Sequence, residues 1–151
     1  MGIHDTDPNT PNKEFAPEGW HVPSDAEWTT LEEYLIANGY NYDGTTTGNK
    51  IGKAMASTTG WLSSTILGYP GNDQGTNNSS GFNAFPEGIR SYDIFWDDGS
   101  FGSEGYSAIF WSSTENDTDF AWDRILSNRY SYLNRNGNYK QSGFSVRFVR
   151  D

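Results

Sequence analysis

The groups with which this 151-residue chain could do chemistry are 2 histidines, 20 carboxylates and no cysteine. Nucleophilic triads and zinc sites lean on His or Cys, and the histidines stand far apart, His4 in a polar N-terminal stretch and His21 between Trp20 and Val22. A histidine on a short extended piece is more often structural than a base. A paired-carboxylate hydrolase is defined by the spacing of two acids in the fold; no Asp or Glu pair stands out, and this remains the enzymatic alternative. Oxygen donors for calcium occur at Asn41, Asp43 and at Asn72, Asp73, Asn77, Asn78 on glycine-containing loops. Neither stretch completes a calcium-loop pattern, and Asn and Asp commonly cap their own turns. The expectation is a domain with no catalytic residue, no metal and no cofactor.

The elements that must position any site follow from the chain's punctuation. Residues 1–16 are rich in Asp, Asn, Thr and Pro without apolar periodicity, the pattern of a linker. One domain is expected over 17–151. Pro23 closes a short extended piece, and Ser24 with Glu27 three residues on forms a capping box. Ala26, Trp28, Leu31, Tyr34 and Leu35 then recur at helical spacing up to Asn38-Gly39. A second helix is predicted over 49–56, with Ile51, Ala54 and Met55 inward and Lys50 and Lys53 outward. Residues 68–81 read as a long loop. Beyond it, β-type runs cover 82–85, 91–96, 109–113, 120–126, 130–133 and 144–149. Two N-terminal helices, long loops and a C-terminal, mostly antiparallel sheet make an α+β domain. Its expected core is Trp20, Trp28, Leu31, Leu35, Trp111, Phe144 and Val146.

Composition narrows the partners. Only 34% of the chain is hydrophobic, yet it holds 6 Trp, 9 Tyr and 9 Phe, so a few large rings must fill the core. The net charge of −10 is uneven: residues 1–123 carry −15 and residues 124–151 carry +5. An acidic body argues against nucleic acid. The basic end is either a contact surface or the counter-charge for carboxylates of the same domain. No apolar run is long enough to span or insert into a bilayer, the N-terminus lacks the basic and apolar regions of a signal peptide, and the sequence leaves the oligomeric state open.

The block Ala16-Pro-Glu-Gly-Trp-His-Val-Pro-Ser-Asp-Ala-Glu-Trp28 resembles the Fibrobacter succinogenes major paralogous domain. Three further blocks agree in order: Gly81-Phe-Asn-Ala-Phe-Pro-Glu-Gly-Ile-Arg90, Phe110-Trp-Ser-Ser-Thr-Glu115 and Gly143-Phe-Ser-Val-Arg-Phe-Val-Arg150. The resemblance implies a C-type-lectin-like fold, related to that of formylglycine-generating enzymes. Those enzymes act through cysteines, which this chain lacks, so their activity does not carry over. Calcium-dependent sugar sites of true C-type lectins pair a Glu-Pro-Asn or Gln-Pro-Asp loop with a Trp-Asn-Asp strand; here only Trp96-Asp97-Asp98 stands, with no partner loop.

A narrower resemblance covers residues 110–150, which are similar to the variable region of a variable protein of a diversity-generating retroelement. In such proteins the adenines of Asn codons are replaced on a fixed scaffold. Residues 116–142 are largely Asn, Asp, Ser, Thr, Tyr, Arg, Phe and Ile, all reachable from AAC by changing its first two bases; Trp122, Lys140 and Gln141 are not, and are expected to be scaffold. The composition also suits a paratope, while the plainer alternative is a polar hairpin turning at Asn136-Gly137. Phe110, Phe120, Tyr130, Tyr132 and Tyr139 are the expected anchors of a ligand-binding surface. Asp119, Asp123, Arg129, Asn134 and Asn136 are expected to set its specificity, with Ile125 and Asn128 in the same stretch. The function this implies is a recognition domain, adhesin-like or receptor-binding, on a cell surface or phage virion, for a protein or glycan on another surface. A structural spacer module is the third possibility.

Overall fold

A computed structural model describes residues 15–92 and 99–151. The expected tail, except residues 15 and 16, and the Trp96-Asp97-Asp98 strand motif lie outside the described residues.

The chain enters through a two-residue strand, β1 (Trp20–His21). Helix α1 (Asp25–Ala37) starts where the capping box requires: the Ser24 hydroxyl accepts from the Glu27 N–H, and the Glu27 carboxylate accepts from the Ser24 N–H. It ends on Gly39 at φ +77°, where Gly39 N–H donates to Ile36 O and Tyr40 N–H to Leu35 O. This paired closure needs a left-handed residue. Trp28 and Leu35 are buried and Leu31 half-buried, whereas Tyr34 is 59% exposed. At 100° per residue Tyr34 falls off the edge of the stripe that the other three define.

The second expected helix is a single turn, α2 (Gly52–Met55). Its start is pinned to another part of the chain, since Gly52 N–H donates to Ser131 O and a Cβ on Gly52 would stand 2.8 Å from that oxygen. Its end is pinned too, because Ala56 pairs with Ala84. Lys53, expected to face outward, is buried, with its ammonium donating to the carbonyls of Asn72 and Asp73. Four residues give too few turns for an outward face, and every one of them is buried.

Residues 68–81 are packed structure. They contain a 3-10 turn at Gln74–Thr76. Gln74 bonds the backbone of Trp61 from both ends of its amide, and Asn77 donates to the carbonyls of Ser57 and Pro70. These side chains satisfy backbone groups that have no ladder to join.

The remaining strands are β2 (Ile89–Arg90), β3 (Phe101–Gly102), β4 (Ser107–Glu115), β5 (Phe120–Ser127), β6 (Asn134–Tyr139) and β7 (Val149–Arg150). β4, β5 and β6 form one antiparallel sheet in that order, β2 pairs with β3, and β1 pairs with β7 so that the two ends of the domain meet. Single bridges join Phe110 to Ser145 and Arg90 to Gly143. The core lies between α1, α2 and the sheet: Trp28, Leu35, Ile51, Met55, Trp61, Phe110, Leu126 and Leu133 are all buried. Phe82 stands edge-on to Phe110, with ring centroids 5.4 Å apart.

Three strand expectations change. Residues 130–133 are the connection between β5 and β6, and Asn136-Gly137 sits within β6 opposite Asp123 and Trp122, so no turn forms there. Residues 82–85 contribute one bridge, at Ala84, and residues 144–149 one bridge and the start of β7. Trp20, expected in the core, is 44% exposed. Within β1 His21 is half-buried, and Val22, just past the strand, is the buried residue.

Candidate functional site

The structure divides the expected contact residues into two ends of one hairpin and a buried middle. At one end, Phe120 pairs with Tyr139 across the strands, with rings 4.3 Å apart, and Tyr139 also meets Tyr92 edge-on at 5.7 Å. Both are half-buried; Asp119 beside them is exposed, its N–H donating to Asp117. At the other end Arg129, Tyr130 and Tyr132 stand exposed on the β5–β6 connection. The length of β5 separates the two ends, roughly 23 Å for eight residues. A single continuous face through all of them does not exist.

The middle is scaffold. Phe110 is 5% exposed within the core cluster, and Asp123 is 0% exposed. Both were expected on the contact surface. The cause is the register: β5 is the central strand, flanked by β4 and β6, and Phe110 lies opposite Arg124 beneath α1. Ile125 and Asn134, paired across β5 and β6, are half-buried, and Asn136 is exposed. Asp123 accepts from Asn138 at 2.8 Å, and its other oxygen makes no hydrogen bond. Burial outweighs the help of Asn138 and Arg124 and pushes its carboxyl up to about 7.

Beside Arg129 and Tyr130 lies a groove of about 390 Å³, within the size range of small-ligand sites. Its walls are two connections brought together by the Ser107–Ser127 register, residues 103–107 leading into β4 and residues 127–130 leaving β5. Asn128 N–H donates to Tyr106 O and ties the two walls. The Arg129 guanidinium lies 5.5 Å from the centre of the Tyr106 ring, and Tyr130 stacks on Tyr132 at 5.0 Å, so both groove tyrosines are held in place by a neighbour. Asn128 lines the groove, is 8% exposed, and its side-chain Oδ1 makes no hydrogen bond within the chain. Ser103, Tyr106, Ser107 and Ser127 were missed from sequence. The signal available was the turn-forming Ser103-Glu104-Gly105 run ahead of Tyr106, which only the strand register places beside Arg129.

The basic C-terminal residues mostly serve the domain itself. Arg124, fully buried, and Arg135 both pair with Asp25 at the start of α1, at 2.7 and 2.9 Å, and Lys140 pairs with Glu115 at 2.8 Å. Burial pushes the Asp25 carboxyl up, but the hydrogen bonds from Arg135 and Arg124 outweigh it and hold it below the usual range. Among the described residues Arg129 makes no ion pair. His21 bridges Asp151 and Glu27 at 2.6 and 2.8 Å, joining β1, α1 and the C-terminal residue. Hydrogen bonds to Asp151 and then Glu27 raise its pKa above the ordinary 6.5.

Two other hollows are internally satisfied. A groove of about 480 Å³ beside Trp20 and Phe85 has Ser145 bonded to Glu87, and its Arg147 donates to Phe82 O. A hollow of about 360 Å³ beside Tyr40 and Tyr42 contains Lys53, already held by carbonyls. The Asn41 amide serves the backbone of its own loop, at Thr45, Gly48 and Lys50, and Asp43 pairs with Lys50. Lys50 and the Thr45 hydroxyl hold the Asp43 carboxyl at about 2. Among the described residues no group of three or more His, Cys, Asp or Glu could hold a metal ion, and no helix is long and apolar enough to cross a membrane.

Residues 5–150 match the model of the Fibrobacter succinogenes major domain, and the chain belongs to that family. No curated relative and no solved structure matches the chain.

Proposed function

We propose that this member of the Fibrobacter succinogenes major domain family is a recognition module that binds by surface complementarity and catalyses no reaction. The observation that carries the reading is the cluster of Arg129, Tyr130 and Tyr132: exposed on the β5–β6 connection and mounted at the end of the largely buried strand β5. Tyrosine and arginine dominate contact energies elsewhere, tyrosine because it brings large area with few rotors and arginine because its planar charged fork bonds in two places. A C-type-lectin-like fold is the finer architecture we propose; the pairing of β1 with β7 and the packing of α1 against a central antiparallel sheet support it.

Retroelement diversification of residues 116–142 belongs to the same proposal, in narrower form. The composition of the segment supports it, and substitution would be tolerated at Asp119, Arg129, Tyr130, Tyr132 and Asn136, which are exposed, but not at Asp123. A near-copy of the 110–150 coding stretch in neighbouring DNA, differing at adenines, tests this directly. The expected setting is a cell surface or phage virion, facing a protein or glycan on another cell.

Binding is tested by screening the intact domain and its Tyr130→Ser/Tyr132→Ser variant on arrays of cell-surface proteins and glycans. Each aromatic anchor carries about 2 kcal/mol, or roughly 30-fold. The reading expects a target that the parent binds and the variant loses. Equal binding by both, or no target at all, contradicts it.

A further inference from the structure

We infer that the groove between the 103–107 and 127–130 connections is a site for an acidic saccharide, a sugar ring carrying a carboxylate. The inference rests on the recognition reading above and names its ligand class.

Three observations select that chemistry. The first is charge. In a chain of net charge −10, no Asp or Glu lines this groove; Glu104, in the same turn, is not among the lining residues. The one charged lining residue is Arg129, which makes no ion pair among the described residues. An exposed guanidinium offers a planar fork that fits a carboxylate with two parallel hydrogen bonds.

The second is polarity. The rest of the lining is serine, asparagine and tyrosine, with no aliphatic side chain. A peptide anchored by an apolar side chain would find only the two tyrosine rings to pack on. A ligand dense in hydroxyls would find Ser103, Ser107 and Ser127, each able to donate and accept. It would also find Asn128, whose buried Oδ1 lacks a donor from the chain.

The third is preorganisation. Tyr106 and Tyr130 line the groove, and a ring face carries the negative side of the aromatic quadrupole, which suits the C–H edge of a pyranose. Tyr132 stacks on Tyr130 and Arg129 covers Tyr106, so little ordering remains for the ligand to impose. The larger groove beside Trp20 differs in charge and polarity, since Glu87 lines it together with Arg147, and Val146 and Phe148 add apolar lining.

The test is a titration of the intact domain with methyl glycosides of glucuronate, galacturonate and N-acetylneuraminate, each uronate against its neutral parent sugar, followed by backbone amide NMR. The site predicts shifts confined to Tyr106, Ser107 and residues 127–130. It also predicts a preference of at least about 10-fold for the carboxylated member of a pair, from one charge-assisted contact. Arg129→Gln, at an exposed position, should erase that preference, so that the charged and neutral members of each pair bind alike. Equal binding of charged and neutral sugars overturns the inference, as does the absence of shifts at those residues at about 10 mM sugar. A protein target lost with Tyr130→Ser/Tyr132→Ser but not competed by any of these sugars would overturn it too, while leaving the recognition reading standing.

Discussion

The Arg135 guanidinium lies flat on the Trp122 indole, 3.3 Å from the ring centre, and the same guanidinium clasps Asp25 with two nitrogens. One residue of β6 thus joins the strand beside it to the start of α1. Arg124, on β5, reaches the same carboxylate from within the core and also donates to the Thr29 hydroxyl. The β5–β6 connection is therefore mounted on a strand pair locked to the helix.

Asp25 should be the most costly single charge to remove. Asp25→Ala leaves Arg124 buried without a counter-charge, and breaking a buried pair in this way costs about 3–5 kcal/mol. Urea denaturation at pH 7 measures it. A loss under about 1 kcal/mol would mean that water reaches Arg124 and that the lock is not structural.

Stability should fall as pH rises from about 4 to about 7. The Asp123 carboxyl titrates near 7 in the folded protein and near 3.8 when unfolded, so the folded state holds the proton more tightly. Stability is full below the lower value and declines up to about 7, by up to about 4 kcal/mol. His21 acts in the same direction: its pKa is raised above 6.5 by Asp151 and Glu27, so its contribution is present below 6.5 and is lost above its folded value. Asp123→Asn should flatten most of the decline, because an amide carries no charge to bury. An unchanged slope in that variant would place the titrating group elsewhere.

Trp28→Ala should cost about 3–5 kcal/mol, since Trp28 is 2% exposed and packs against Phe82 and Phe110 at 5.8 and 5.9 Å. Thermal unfolding equal to the parent would contradict the core assignment. Trp20→Ala should cost far less, because 44% of that residue is in solvent. Block membership alone could not separate these two tryptophans. The α1 capping box and stripe were legible because they are local: a cap, a period of 3.6 and a glycine stop all lie within sixteen residues of one another. What was not legible is set by distant pairing. Ser131 pins the start of the second helix at Gly52 and Ala84 pins its end at Ala56, and the Phe110–Arg124 and Asp123–Asn136 register turns two expected contact residues inward. A strand's alternation says which residues share a face but not which face is covered. The groove was half legible: Asn128, Arg129 and Tyr130 stood out by type, whereas Ser103 and Tyr106 join them only through the Ser107–Ser127 pairing.

Chelation should leave the fold unchanged. The Asn41 and Asp43 side chains that could have served calcium are engaged with Thr45, Gly48 and Lys50. Adding EDTA should not move the melting temperature, and a drop of several degrees reversed by calcium would show that a loop holds an ion after all.

The account stands on the separation of contact residues from scaffold along one hairpin, and a stability scan of every single substitution from 110 to 142, read by protease resistance on a display system, measures that separation directly. It predicts that Asp119, Arg129, Tyr130, Tyr132 and Asn136 accept nearly any residue within about 0.5 kcal/mol, while substitutions at Phe110, Asp123 and Arg124 other than the closest isosteres unfold the domain or cost several kcal/mol. If Arg129, Tyr130 and Tyr132 proved as intolerant as Phe110, they would be part of the fold and the recognition surface would not exist.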